Sequence, residues 1–274
     1  MGAALPTSPS AGVRCDGLPC LIDVESEESF VNSREGSGVV DSQKVLKQIL
    51  DGAEYTGAMR NGLRHGQGTL IAPGGASYTG EWVDDQAHGF GTLQLPKGDS
   101  YVGEWQHNKK HGTGTYQHAN GSKYTGQWDS DYQSGYGVEQ WKGGAVFRGR
   151  YVKGRKCGHG RYEWACGSAF EGQLVDDMIH GTGTYFWNDG SRYVGQWVKQ
   201  EMDGHGQLTD PFGREYKGQF RAGLRHGEGE QIFTDGRVFR GKWIGGKQDV
   251  GEWSKVEPAA RKEGLRNSPV FDGF

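Results

Sequence analysis

With 274 residues and 31 Lys and Arg against 34 Asp and Glu, the chain carries a net charge of −3, which argues against a general nucleic-acid binder. Hydrophobic residues make up only 34% while glycine reaches 49 residues, so any core must be thin and aromatic. No run of about 18 apolar residues is present to span a membrane as a helix.

Residues 1–40 are rich in Ser, Pro, Gly and acids and are expected to form a disordered tail. Met1-Gly2 is followed by Pro6 where N-myristoylation wants Ser or Thr. Cys15, Cys20, Cys157 and Cys166 show no framework spacing, and no basic-then-apolar leader is visible, so reduced thiols in a cytoplasmic protein are expected. Residues 41–52 read as a short capping helix. Asp41 is its N-cap, Gly52 suits a left-handed C-terminal position, and Val45, Leu46, Ile49 and Leu50 make one apolar stripe.

From Tyr55 the chain repeats itself every 23 residues. An aromatic opens each line at Tyr55, Tyr78, Tyr101, Tyr124, Phe147, Phe170, Tyr193, Tyr216 and Phe239. A glycine follows two residues later in all nine lines, from Gly57 to Gly241. Fixed self-similarity at this length signals a repeat array spanning residues 53–253. Within a line, Tyr-x-Gly-x-Trp alternates by two and reads as a strand, and Gly-x-Gly-x-Tyr reads as its partner. Asn120-Gly121, Asp189-Gly190 and Asp235-Gly236 read as tight hairpin dipeptides with positive φ at both residues. Glycine inside a strand marks the close approach of another group, here an aromatic ring laid across bare backbone. The expected fold is all-β: a single-layer antiparallel sheet of nine hairpins, with a rise of roughly 9–10 Å per line. Residues 254–274 read as a C-terminal tail.

Tyr-x-Gly-x-Trp followed by His-Gly-x-Gly at this period resembles the MORN repeat (membrane occupation and recognition nexus) from residue 55 to about 253. The resemblance implies an elongated sheet of hairpins. It also implies a scaffold at membranes, cytoskeleton or cilia that binds partner peptides along the sheet or forms a homodimer. Departures occur at Tyr151, Leu174 and Phe220 in place of Trp, and at Ser134, Cys157 and Asp203 in place of His. Relatives that join the array to a lipid kinase or methyltransferase need a catalytic domain. The segments outside the repeats are too short for one, so no enzyme activity and no cofactor are expected.

His65, His88, His111, His180 and His226 share one column, but neighbours there stand roughly 10 Å apart, too far for a shared metal, so hydrogen bonding at the turns is expected. Basic turns (Arg60 and Arg64, Lys109 and Lys110, Lys153 to Lys156) alternate with acidic ones (Asp84 and Asp85, Asp129 and Asp131, Asp176 and Asp177), which predicts a charge-balanced edge. Trp141, Trp164 and Trp187, with Phe233 in the same column, exceed what a thin sheet needs, and are the expected surface for a partner helix or extended peptide. Tyr116, Tyr162 and Tyr185 beside them are expected to pack. The alternative site is a basic cluster of Arg221, Arg225, Arg237, Arg240, Lys242 and Lys247 for anionic phospholipid headgroups.

Overall fold

The computed structural model describes residues 46–50 and 52–255. Among them a single antiparallel sheet of 19 strands contains every regular element. The N-terminal half runs β1 (Leu46–Leu50), β2 (Ala53–Arg60), β3 (Leu63–Ile71), β4 (Ser77–Val83), β5 (Gln86–Gln94), β6 (Ser100–Gln106), β7 (Lys109–Gln117), β8 (Lys123–Asp129) and β9 (Tyr132–Gln140). It continues with β10 (Val146–Val152), β11 (Arg155–Glu163), β12 (Ala169–Val175), β13 (Met178–Phe186), β14 (Arg192–Val198), β15 (Glu201–Thr209), β16 (Glu215–Arg221), β17 (Leu224–Ile232), β18 (Arg237–Ile244) and β19 (Lys247–Lys255). Each strand pairs with the next in sequence, so the chain is an uninterrupted meander.

The register explains the glycines. Gly103 lies opposite Gly114, and Gly114 opposite Gly126, and the same pairing recurs along the sheet. Across each pair lies the opening ring: a Cβ on Gly103 or Gly114 would collide with Tyr101. The ring is fully buried, and its hydroxyl donates to the Glu104 carbonyl at 3.0 Å. Tyr78, Tyr124, Tyr193 and Tyr216 make the same bond three residues on. The Trp four residues after the opening ring stands edge-on to it and to the previous line's ring; Trp105 meets Tyr101 at 5.1 Å and Tyr78 at 5.2 Å. Its indole N–H donates to the carbonyl of Gly91 in that previous line, at 3.2 Å. One sheet thus builds a core on one face by alternating rings with bare backbone.

The sequence pattern concealed one device. Gly80 opposes Gly91 but Glu81 opposes His88, so Gly89 and Phe90 are inserted into β5 as a bulge. The Phe90 N–H then donates to the Glu81 carboxylate at 3.0 Å. Glu104 serves Thr113 in the same way, and Gln127, Gln173, Gln196 and Gln219 serve Tyr136, Thr182, His205 and Glu228. In these six lines the acidic or amide residue before the Trp position is therefore an internal acceptor for a bulge donor that the ladder leaves unpaired, whereas Ala58, Arg150 and Lys242 hold that position in the other three.

The two kinds of turn differ from expectation. The two-residue links have positive φ at both positions, at Asp84 and Asp85, His107 and Asn108, and Ser130 and Asp131. They match the twist of the strands and are mostly made without glycine. At Asn120-Gly121 only the glycine is left-handed, φ 92°, because this link spans His118 to Ser122, closed by bonds between those two residues and from Gly121 to His118.

Leu46–Leu50, inside the segment expected as a capping helix, is strand β1, paired from Leu46 opposite Gly57 to Leu50 opposite Ala53. An open sheet exposes a row of N–H and C=O groups along its first strand, and only an extended segment pairs with them. Residues 41–45 and 51 of the expected helix, the whole expected N-terminal tail (1–40) and the C-terminal tail beyond Lys255 lie outside the described residues. Removing residues 1–52 is expected to lower stability by about 1–3 kcal/mol relative to removing 1–38, the net worth of a few backbone bonds. Equal denaturation midpoints for the two truncations would show that β1 contributes nothing.

Candidate functional site

Directly opposed residues share a face of a sheet. The opening rings and the Trp positions lie on one face with the residue opposite each Trp: Arg64, Ala87, Lys110, Gln133, Lys156, Ile179, Met202 and Arg225. The other face carries rows of Thr, Val and charged residues, such as Thr115 paired with Thr125.

On the ring face the structure joins Trp141, Trp164 and Trp187 into one run. Trp141 stacks on Tyr162 at 6.2 Å, Tyr162 on Trp164 at 5.3 Å, Trp164 meets Tyr185 at 5.4 Å, and Tyr185 meets Trp187 at 4.6 Å. Tyr162 and Tyr185 are buried beneath, while the three indoles are half-buried. The indole nitrogens of Trp164 and Trp187 have no hydrogen-bond partner. Burial pushes the Tyr185 hydroxyl pKa up to about 12. Phe233 does not join the run. It stacks on Trp253 at 5.7 Å, and Leu208 and Asp210 occupy the equivalent positions between it and Trp187. Trp253 in turn packs on Phe239, covering the last opening ring.

Sequence reasoning missed the cations set into this face. Lys110 is fully buried, with its ammonium 5.5 Å from the Trp128 ring centre and 5.6 Å from that of Tyr116, and 3.4 Å from the Asp131 carboxylate. Lys156 lies among Trp141, Phe147, Tyr151 and Tyr162 and pairs with Glu139 at 2.8 Å. Arg64 covers Trp82 at 4.4 Å and pairs with Asp85. The signal was available: these cations all stand one residue before the His column.

At the turn edge, Arg60 pairs with Asp84 at 3.0 Å and Arg155 with Asp176 at 3.4 Å, as the alternating signs predict. His65 approaches Asp84 at 3.4 Å and His111 approaches Asp129 at 3.7 Å. Among the described residues no three His, Cys, Asp or Glu side chains converge as a metal site. The C-terminal basic cluster is divided between faces. Arg240 and Lys242 alternate with the core residues Phe239, Gly241 and Trp243, so they lie on the polar face. Arg221 and Lys247 share that face, as partners of Leu224 and Ile244. Arg225 stacks on Trp243 at 4.5 Å and Arg237 lies 5.2 Å from Phe233, both on the ring face. Arg237 and Arg240 are also paired, with Asp235 and Glu230.

A family model described as MORN repeat matches eight consecutive segments: residues 55–77, 78–100, 101–123, 124–146, 147–168, 170–192, 193–211 and 216–236. No curated protein is significantly similar to the chain. Among solved structures, the TCP domain of Drosophila melanogaster SAS-4, in complex with a proline-rich motif of Ana2, is 13% identical, with a TM-score of 0.36; the match covers 71% of this chain and 99% of that one. The TCP10c domain of Drosophila melanogaster Sas-4 is 13% identical with a TM-score of 0.33, over 57% and 93% of the two chains. A mutant of the TCP10 domain of Danio rerio CPAP is 14% identical with a TM-score of 0.29, over 77% and 94%.

Proposed function

Since the chain belongs to the MORN-repeat family, its repeats covering residues 55–236, we propose that it is a non-enzymatic cytoplasmic scaffold whose ring face binds a helix or extended segment of a protein partner. The observation that carries this is the run from Trp141 to Trp187. Three half-exposed indoles repeat at roughly 10 Å along a rigid sheet, a spacing that suits a short helix or strand laid across the lines. Large rings on a rigid base lose little entropy on binding and carry disproportionate energy, often about 2 kcal/mol or more each.

Changing Trp141, Trp164 and Trp187 together to Ser tests this. The variant is expected to keep its β circular dichroism and to melt only modestly earlier, because the buried tyrosines and opening rings remain. Capture of partner protein, or self-association, should fall at least tenfold, the loss of about 1.4 kcal/mol or more. A folded variant that captures the same partner undiminished would remove the site. Retained binding to anionic vesicles that is lost at high salt would instead favour the basic cluster of Arg221, Arg240, Lys242 and Lys247.

A further inference from the structure

The cation column has one member unlike the rest. Arg64, Lys110 and Lys156 each meet a carboxylate: Asp85, Asp131 and Glu139. Asp85, Asp131 and Asp177 hold the second position of the next line's two-residue turn, and each accepts the backbone N–H of Arg64, Lys110 or Lys156. Arg225 is the fourth cation of the column. In its next line that turn position is Gly246, which has no side chain. No Asp or Glu among the described residues forms an ion pair with Arg225. Its guanidinium instead donates to Gln231 and stacks on Trp243.

Beside Arg225 lies an open pocket of about 680 Å³ on the ring face, at the break in the aromatic run where Leu208 stands. Tyr216, Arg214, Arg225, Trp243 and Gly246 line it with Leu208. Asp210, also at its wall, is engaged by Arg214. Trp243 is buried with its indole N–H unpartnered, whereas Trp82, Trp105, Trp128 and Trp197 bond a glycine carbonyl from that position. Burial, with Arg214 nearby, holds the Arg225 pKa below its ordinary value, as expected of a cation lacking its anion.

We propose that this cavity receives the carboxylate of an Asp or Glu side chain from the bound partner segment, the Arg225 guanidinium supplying the charge-assisted bonds that Asp85 draws from Arg64. The proposal rests on the reading that the ring face binds protein segments. It adds the chemistry that one end of the segment must carry: an acid placed past the end of the indole run, toward Phe233.

The chain itself supplies the test. Gly246 has φ 83°, and Asp85, Asp131 and Asp177 adopt φ 64°, 71° and 67° at the same turn position, so Gly246→Asp fits and puts the missing carboxylate in place. A displayed library of random dodecapeptides is selected on the wild-type chain, on Gly246→Asp and on Arg225→Met. Peptides from the wild type should share an Asp or Glu at one position. That preference should vanish on both variants while apolar preferences persist, and a wild-type peptide should bind Gly246→Asp at least tenfold more weakly. The Gly246→Asp chain should melt higher than wild type. An acidic preference that survives in Gly246→Asp overturns the site, and so does its absence from wild-type peptides that still need Trp141, Trp164 and Trp187. Inorganic phosphate displacing the selected peptide while its Glu→Gln form binds equally well would mark a free-anion site, also against the proposal. If no peptide is selected on the wild type, the peptide-binding reading falls, and this site with it.

Discussion

Gly114→Ala should destabilise the array by about 3–5 kcal/mol, the range of a lost buried ring, although it adds one methyl group. The new Cβ would lie only 2.3–2.6 Å from the hydroxyl and ring carbons of Tyr101, closer than any real contact. That ring cannot step aside. It is fully buried, bonded to the Glu104 carbonyl, and held edge-on between Trp105 and Trp128. It must leave its slot, taking with it the packing of two lines. Gly143→Ala is the control, since nothing lies within 4 Å of a Cβ there and its φ is not left-handed; it should stay within about 0.5–1 kcal/mol of wild type. A double-mutant cycle gives the cause. In a Tyr101→Ala background, Gly114→Ala should cost under about 1 kcal/mol, because the object it strikes is gone. Urea midpoints that show the same large loss in both backgrounds would mean that strand entropy, not the ring, explains the glycine.

The second large effect is alkaline unfolding. Burial raises the pKa of Tyr78, Tyr101, Tyr124, Tyr151, Tyr162 and Tyr193, and pushes Tyr185 and Tyr216 up to about 12. In the unfolded chain these hydroxyls titrate near 10. Below that pH both states are protonated and stability is independent of these groups. Above it the unfolded state releases protons that the folded state keeps, so the derivative of stability with pH is negative, about −1.4 kcal/mol per pH unit for each such tyrosine. Because the unfolded tyrosines are only half ionised at pH 10, two of them remove about 2 kcal/mol between pH 10 and 11, and the eight together about 8 kcal/mol, comparable to an ordinary domain's stability. Native circular dichroism is expected through pH 9 and should be lost cooperatively between about pH 10 and 11.5, together with tyrosinate absorbance. Phe147, Phe170 and Phe239 already fill the opening position without a hydroxyl. Tyr101→Phe with Tyr124→Phe and Tyr193→Phe should therefore move the alkaline midpoint upward despite three lost hydrogen bonds at neutral pH. A midpoint unchanged by these substitutions would dissociate the transition from the ring column.

The period, the two strands of each line and the ring-over-glycine packing were legible because each imposes a residue type at a fixed offset. Tyr101, Gly103 and Gly114 are constrained by one another, and the constraint repeats. Residues 46–50 misled, since Leu46, Ile49 and Leu50 have helical spacing while the edge of β2 dictates an extended partner. The Glu104 and Gln127 acceptors were invisible because a polar residue on an alternating strand reads as solvated, and nothing local marks the bulge it serves. Turn chemistry was assigned to Asn120-Gly121 by its dipeptide, whereas left-handed pairs such as His107-Asn108 carry no such label. For the candidate site, the Trp column was legible by count and offset. Its union with Tyr162 and Tyr185 into one stack, and its interruption before Phe233, needed the side-chain geometry. The unpaired Arg225 required two columns to be compared at once, a cation in one line and the absent acid of the next.

Because every strand pairs only with its neighbours in sequence, and Gly-to-Gly pairing resets the register in each line, the array has no element that knows how long it is. Adding or deleting 23 residues inside it would move the two ends by about one 9–10 Å step and keep the backbone register on both sides, changing only line-to-line side-chain pairs such as Arg64 with Asp85 at the junction. A shift of one residue would instead turn the rings of a strand to the wrong face. Length here is a quantised quantity, and the protein is built like a ruler: equivalent positions on any two lines are kept apart by a whole number of 23-residue increments.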